Sequence, residues 1–387
     1  MNLASIIYSI VTMLASSSTP IVCCASTAEV LNAITVFAKP GMRVLEFGSE
    51  LGQVSDHLCQ VIGASSGIPS NDSDHDKSNK QSSGEAWLVD KKRSAPKSGR
   101  MASRDVEAFV SGKNVHFIEL DELSDWSRKV PLHQQQGYDI LILSVTHILG
   151  HDLYMTILAL ADEILQAIPN EPKAVIVKSR ALAGLSRRLV HAHKLFDGTT
   201  VLPPPPRNDT DAATLTTSTV ATMTRSSQPY WIAGVKVDDY RKTIPFVVQP
   251  GDAVLEVGSH FGRTTKLLDD AGRYCIGVDI GPKIIANAKQ QYPDVAFSVG
   301  DAWKVLSLLK LRKSIKGEDE LGYDVVYADI GGLSGSDGHL ESLSLLDSLG
   351  YALEPRCIVI KSLCMRQLAG RLKAMPDIWG KYNRCTD

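Results

Sequence analysis

No stretch of this 387-residue chain is apolar for long enough to cross a bilayer as a helix, which takes about 20 residues. The nearest approach is residues 1–25, MNLASIIYSIVTMLASSSTPIVCCA, which carry no charge at all. Their apolar stretch of about a dozen residues is too short to span, and the basic start of a secretory signal is missing. A signal h-region and an extra helix packed on the first domain both remain readings of it, and the helix is the better one. No stable membrane association is expected. Seven cysteines lack any metal-ligand or disulfide-framework spacing, and adjacent Cys23 and Cys24 are poorly placed to bridge each other. We therefore expect reduced thiols, no metal site and an intracellular, cytoplasmic setting. There is also no excess of positive charge. A net charge of −2 gives no global field for nucleic acid. That weighs against an RNA substrate, although Arg180, Arg187, Arg188 and Lys194 form a local basic group that solvated helix faces also explain.

What the chain does have, it has twice. Residues 39–52 read KPGMRVLEFGSELG, and residues 249–262 read QPGDAVLEVGSHFG, 210 positions later. Each is a Pro-Gly turn, an apolar run ending in Glu, and then Gly-x-x-x-Gly. Downstream, Trp87-Leu88-Val89-Asp90 answers Cys275-Ile276-Gly277-Val278-Asp279 at an offset of 189. Tyr138-Asp139 answers Tyr323-Asp324 at 185, and Ala174-Val175-Ile176-Val177-Lys178-Ser179 answers Cys357-Ile358-Val359-Ile360-Lys361-Ser362 at 183. Four matches in one order, with offsets changing only between elements, indicate tandem duplication of a whole domain.

Apolar runs alternate with helical patterns in both halves, which predicts α/β domains with doubly wound parallel sheets. Strands are expected near 43–47, 86–90, 115–119, 139–144 and 174–178. Their counterparts fall near 253–257, 274–279, 295–299, 324–328 and 357–361. Helices should follow the glycine turns, for example 264–271 and 283–291, with a last helix near 181–195 in one half and 363–374 in the other. Neither half shows a sixth or seventh strand, so each sheet is expected to stop at about five, in the order 3-2-1-4-5. Residues 64–84 are polar and low in complexity, and read as a disordered insertion. Residues 198–228, Pro-rich and then Ser/Thr-rich, read as the linker. The domains then run 26–197 and 229–387.

The second half carries the stronger chemistry. Glu256-Val257-Gly258-Ser259-His260-Phe261-Gly262 joins a buried strand to a helix whose free N–H groups face a ligand. Asp279 closes the next strand, where an acid reaches a ribose hydroxyl pair. Gly300-Asp301-Ala302 follows the third, where a carboxylate can accept from an adenine amino group. All three ends meet at the switch point of the sheet. Each has a simpler reading. Glu256 can pair locally, Asp279 can open the turn Asp-Ile-Gly-Pro, and Asp301 can cap a helix. Trp303 reads as core or lid.

This set resembles the class I S-adenosylmethionine-dependent methyltransferases, across nearly all of both halves. The resemblance implies a Rossmann-like fold and S-adenosyl-L-methionine as cofactor. It implies a donor site of Glu256, Gly258, Ser259, Gly262, Asp279, Ile280, Asp301 and Ala302. The rival is a dinucleotide fold with Gly-x-Gly-x-x-Gly, against which an acid at Glu256 would repel pyrophosphate. Asp329 and Lys361 end the fourth and fifth strands and are the candidate catalytic residues. They look like two members of the Lys-Asp-Lys-Glu set of the RNA ribose 2′-O-methyltransferases, where lysine and aspartate orient and deprotonate a hydroxyl. The first lysine has only Lys242 as a candidate, and the glutamate would lie on a late strand that is missing from the sequence pattern. No Asn-Pro-Pro-Tyr-like motif follows the fourth strand, so transfer to an exocyclic base amine is unsupported. The acceptor is open among RNA, protein and small molecules, as is the oligomeric state. The first half keeps Glu46, Gly48, Gly52 and Asp90 but has Ser144 opposite Asp329, so it is the degenerate copy. A pair of non-catalytic binding modules and a nicotinamide oxidoreductase are the other two functions to be weighed.

Overall fold

The computed structural model describes residues 18–49, 52–64, 83–91, 103–131, 137–200, 202, 228–316, 322–331 and 338–386. Apart from their ends, the expected insertion and linker lie outside the described residues, as do residues 1–17 of the apolar N-terminal segment. The chain forms two compact units, Met1–Arg187 with Gly370–Asp387, and Arg188–Ala369.

Fourteen strands are found among the described residues. The first seven are β1 (Ile21–Cys24), β2 (Arg43–Phe47), β3 (Glu85–Lys91), β4 (Val115–Leu120), β5 (Ile140–Leu143), β6 (Ala174–Lys178) and β7 (Leu189–His191). The others are β8 (Tyr230–Gly234), β9 (Ala253–Val257), β10 (Tyr274–Asp279), β11 (Ala296–Val299), β12 (Val325–Ala328), β13 (Cys357–Lys361) and β14 (Leu372–Ala374). They make two seven-stranded sheets, β14-β1-β6-β5-β2-β3-β4 and β11-β10-β9-β12-β13-β8-β7. Every pairing is parallel.

The central strands are short continuous apolar runs because helices cover both faces of a parallel sheet. Ile140–Leu143 and Val325–Ala328 are buried along their whole length. Each fully buried Val, Ile or Leu contributes about 1.5–3 kcal/mol, so these runs hold the sheets. The repeated Tyr-Asp has a local cause. Asp139 accepts from the Arg43 backbone N–H at 3.0 Å, and Asp324 from that of Ala253 at 2.8 Å. Each ties the first residue of one strand to the residue that precedes its neighbour, β2 to β5 and β9 to β12. The repeated Lys-Ser also has one. Ser179 Oγ accepts from Leu182 N–H at 2.9 Å and Ser362 Oγ from Met365 N–H at 3.3 Å, satisfying donors at the start of the next helix.

The five expected strands appear in the order 3-2-1-4-5 in both sheets. The expectation that the sheets stop there is corrected, since each carries two more parallel strands. One precedes the glycine motif. Cys24 pairs with Lys178 and Gly234 with Lys361. This register matches Ile-Val-Cys-Cys to Trp-Ile-Ala-Gly without one identical residue, so the repeat was invisible there. The other lies inside the stretches expected to be helical. The helices end at Arg188 and Arg371, and three extended residues follow.

Those last strands cross over. Leu189–His191 pairs with β8, and Leu372–Ala374 with β1. Residues 188–197 and 370–387 therefore belong to the opposite units from those expected from the order of the chain. No helix among the described residues is long and apolar enough to cross a membrane. No group of three or more His, Cys, Asp or Glu among them could hold a metal ion.

Candidate functional site

The site is built at the carboxyl ends of β9 to β13. After Val257 the backbone turns at Gly258, φ 80°. The N–H groups of Gly258 and Ser259 both bond Val278 O, at 2.8 and 3.0 Å. A Cβ on Gly258 would stand 1.9 Å from the backbone oxygen of Asp329. Gly262, φ 83°, opens the helix Arg263–Ala271, and a Cβ there would meet the Phe297 ring at 2.5 Å. The protein's own packing thus demands both glycines, before any ligand is considered. Between them His260 takes φ 47°, the left-handed region that a residue with a side chain enters at a cost of about 1–3 kcal/mol.

Three acids converge on this turn. Asp279 accepts from His260 N–H at 3.1 Å and from Gly281 N–H at 3.0 Å, one bond to each oxygen. The turn role expected of it is real, and a carboxylate's remaining lone pairs stay available. Asp301 Oδ1 accepts from Trp303 N–H at 3.0 Å. That is a turn as well, since the following helix begins only at Val305. Asp329 lies with Oδ1 2.5 Å from Lys361 Nζ, both side chains about one-fifth exposed.

Glu256 is different. It is 2% exposed and accepts from Thr265 Oγ1 at 2.5 Å. Burial is the largest influence on it and pushes its carboxyl up to about 8, against the Thr265 bond, with Asp329 adding to the rise. Burial thus works against the charge on which the expected argument against a dinucleotide rests. Geometry replaces it. His260 occupies the position of the fingerprint's second glycine, where a side chain blocks close approach of a pyrophosphate to the backbone.

The groups surround a cleft of about 930 Å³. Of the nominated residues, Glu256, Gly258, Ser259, Asp279, Ile280, Asp301, Ala302, Asp329 and Lys361 line it, and Gly262 does not. Ser259 Oγ is buried and makes no hydrogen bond among the described residues. Trp303 forms part of the cleft wall at 48% exposure, so it is not core, and Ile280 is 73% exposed beside it. Arg241 and Arg263 also line the cleft and were missed. Arg241 sits on the helix Val237–Lys242, which follows β8, and its Nε donates to Thr264 Oγ1 at 3.0 Å. With β8 unseen, nothing in the sequence pattern placed that helix at the site. Lys242, the residue nominated there, is exposed and outside the cleft lining.

In the first unit Glu46 is likewise buried and accepts from Ser55 Oγ at 3.1 Å, and burial pushes it up to about 7. Gly48 turns at φ 77° and bonds Val89 O at 2.8 Å. Ser144 is buried where the other unit has Asp329, and its Oγ makes no hydrogen bond among the described residues.

No family model matches this chain, and no curated protein does. Solved structures resemble parts of it. A TehB-like SAM-dependent methyltransferase from Corynebacterium glutamicum is 22% identical over 38% of this chain and 70% of its own, at a TM-score of 0.23. A precorrin 8W decarboxylase from Methanobacterium thermoautotrophicum is 20% identical over 33% and 63%, at 0.24. SAM-bound CalS10, an amino pentose methyltransferase from Micromonospora echinaspora, is 16% identical over 30% and 42%, at 0.21. This chain thus spans less than two thirds of the latter two structures.

Proposed function

We propose that the chain is an S-adenosylmethionine-dependent methyltransferase built of two tandem copies, with its donor site in the cleft of the second. The observation that carries this is the meeting of Asp279, Asp301, Arg241 and an unbonded, buried Ser259 hydroxyl around a space of about 930 Å³. That volume is within the ~300–1,000 Å³ usual for small-molecule sites. The residues fit the donor in its parts. Asp279 accepts from the ribose hydroxyls, Asp301 from the adenine amino group, and Ile280 and Trp303 offer apolar surface to the ring. The guanidinium of Arg241 would pair with the donor's carboxylate. The bound donor supplies an electrophilic methyl group on sulfur.

Asp329 and Lys361 favour a hydroxyl acceptor. Lys361 holds the Asp329 carboxylate and would orient the hydroxyl, whose proton the carboxylate would take. An RNA ribose 2′-hydroxyl is one member of that class, and a non-catalytic donor-binding module is the alternative. Incubation with methyl-labelled donor and separate pools of RNA, protein and small metabolites tests the proposal. Label should enter at least one pool with the wild type, and about 10²–10⁴-fold more slowly with Asp329→Asn. No labelled product in any pool, with donor bound, would leave the binding module.

A further inference from the structure

On the reading of the cleft as a methyl-transfer site, we propose that the acceptor is a small-molecule acid, a hydroxyl compound carrying a phosphate or a carboxylate, and that Arg263 holds its anionic group.

The charges of the cleft point this way. Three Lys or Arg side chains among the described residues line it, Arg241, Arg263 and Lys361. Lys361 is matched by Asp329, with Nζ 2.5 Å from Oδ1. Arg241 donates through Nε to Thr264 Oγ1 at 3.0 Å and is the proposed partner of the donor's carboxylate. Arg263 is exposed and has no hydrogen bond or ion pair among the described residues. The other acids of the wall are engaged elsewhere, Asp279 and Asp301 with backbone N–H groups and Glu256 with Thr265. The donor brings one carboxylate, so one guanidinium is left for a second anion.

The place of Arg263 in the fold sharpens this. It is the first residue of the helix Arg263–Ala271, whose first turn holds no acid. That end of a helix carries partial positive charge, which favours an anion and disfavours a cation. Arg241 brings a second guanidinium to the same end, through Thr264. Ser259, 4% exposed, lines the same cleft, and its Oγ has no hydrogen bond among the described residues. A buried hydroxyl without a partner is destabilising, and an oxyanion would accept its proton. Arginine presents parallel N–H donors that match two oxygens of a carboxylate or phosphate. His260 denies such a group close approach to the backbone of the turn, so recognition falls to these side chains. Size and charge favour a small acid over a nucleic acid. The acceptor shares about 930 Å³ with the donor, and a chain of net charge −2 has no global field for a phosphate backbone.

The test begins with calorimetric titration of the full chain with inorganic phosphate, alone and with S-adenosylhomocysteine at saturation. Phosphate should bind in both, because the nucleoside occupies Arg241 and leaves Arg263 open. Arg263→Gln should weaken phosphate about 10-fold or more, the loss of one charge-assisted contact. Arg263→Lys should restore part of it, and S-adenosylhomocysteine should bind each variant within a few-fold of wild type. In the labelling assay the product should resist ribonuclease and be retained on an anion exchanger. Phosphatase treatment should release it if the anion is a phosphate and leave it retained if it is a carboxylate. Arg263→Gln should raise the acceptor KM by the same factor with kcat little changed. Phosphate that does not bind the wild type, that S-adenosylhomocysteine displaces, or that Arg263→Gln leaves bound would overturn the proposal. Label found only in neutral compounds or in RNA would overturn it as well. If S-adenosylhomocysteine fails to bind while Arg263→Gln still abolishes phosphate binding, the methyl-donor reading falls and Arg263 stands as an anion site.

Discussion

Lys361 Nζ stands 2.5 Å from Asp329 Oδ1, at the ends of two adjacent strands and on the wall of the cleft. On the proposed function, this partly buried ion pair handles the proton of the acceptor hydroxyl. Asp329→Asn should lower turnover by about 10²–10⁴-fold, as for loss of an acid–base group, with donor affinity within a few-fold of wild type. Ser144→Ala, at the matching place in the first unit, should leave turnover unchanged. The two variants assayed side by side decide which unit works, and equal losses would show two active units.

Arg241 lines the cleft, and the proposed function puts it at the carboxylate end of the donor. Charge-assisted hydrogen bonds contribute about 1.5–3 kcal/mol, or roughly 10–100-fold in affinity. Arg241→Gln should weaken S-adenosylhomocysteine binding by that factor. It should leave methylthioadenosine, which has no carboxylate, untouched. Equal weakening of both ligands in a titration would place Arg241 in a structural role with Thr264.

Gly258 is set by the fold. An added Cβ meets the Asp329 carbonyl at 1.9 Å, and that backbone is held in turn by Asp329 N–H to Val257 O at 2.9 Å. Gly258→Ala should therefore cost about 1–3 kcal/mol of stability or more, seen as a lowered melting temperature without ligand. A variant as stable as wild type would contradict that packing.

Stability should fall as pH rises from 5 to 8. Burial lifts Glu256 to about 8 and Glu46 to about 7, from an ordinary 4.5. Between the unfolded and folded values the native state holds the extra proton, so each group removes up to about 1.4 kcal/mol per pH unit. The loss is complete once pH passes the folded value. Glu256→Gln should flatten its part of the slope in urea melts at pH 5, 6.5 and 8. An unchanged slope would mean that Glu256 is ionised in the native protein.

The five central strands of each half were legible because buried parallel strands are continuous apolar runs, and the same turns recur around them. Asp279, Asp329 and Lys361 were legible because strand ends in such a sheet face one edge. The sixth and seventh strands were not. Ile21–Cys24 shares no identical residue with its counterpart, and Leu189–His191 extends a helical pattern until the partner edge on β8 captures it. Arg241 was lost with β8. The burial of Glu256 was not legible, because charge is visible in a sequence and burial is not.

The most direct measurement is a calorimetric titration of the full chain with S-adenosylmethionine, repeated with Asp279→Ala and with Asp90→Ala. Saturable binding that Asp279→Ala abolishes and Asp90→Ala leaves intact is the expected result. Binding that survives Asp279→Ala, or heat from a nicotinamide dinucleotide and none from the methyl donor, would contradict a donor site in the second unit.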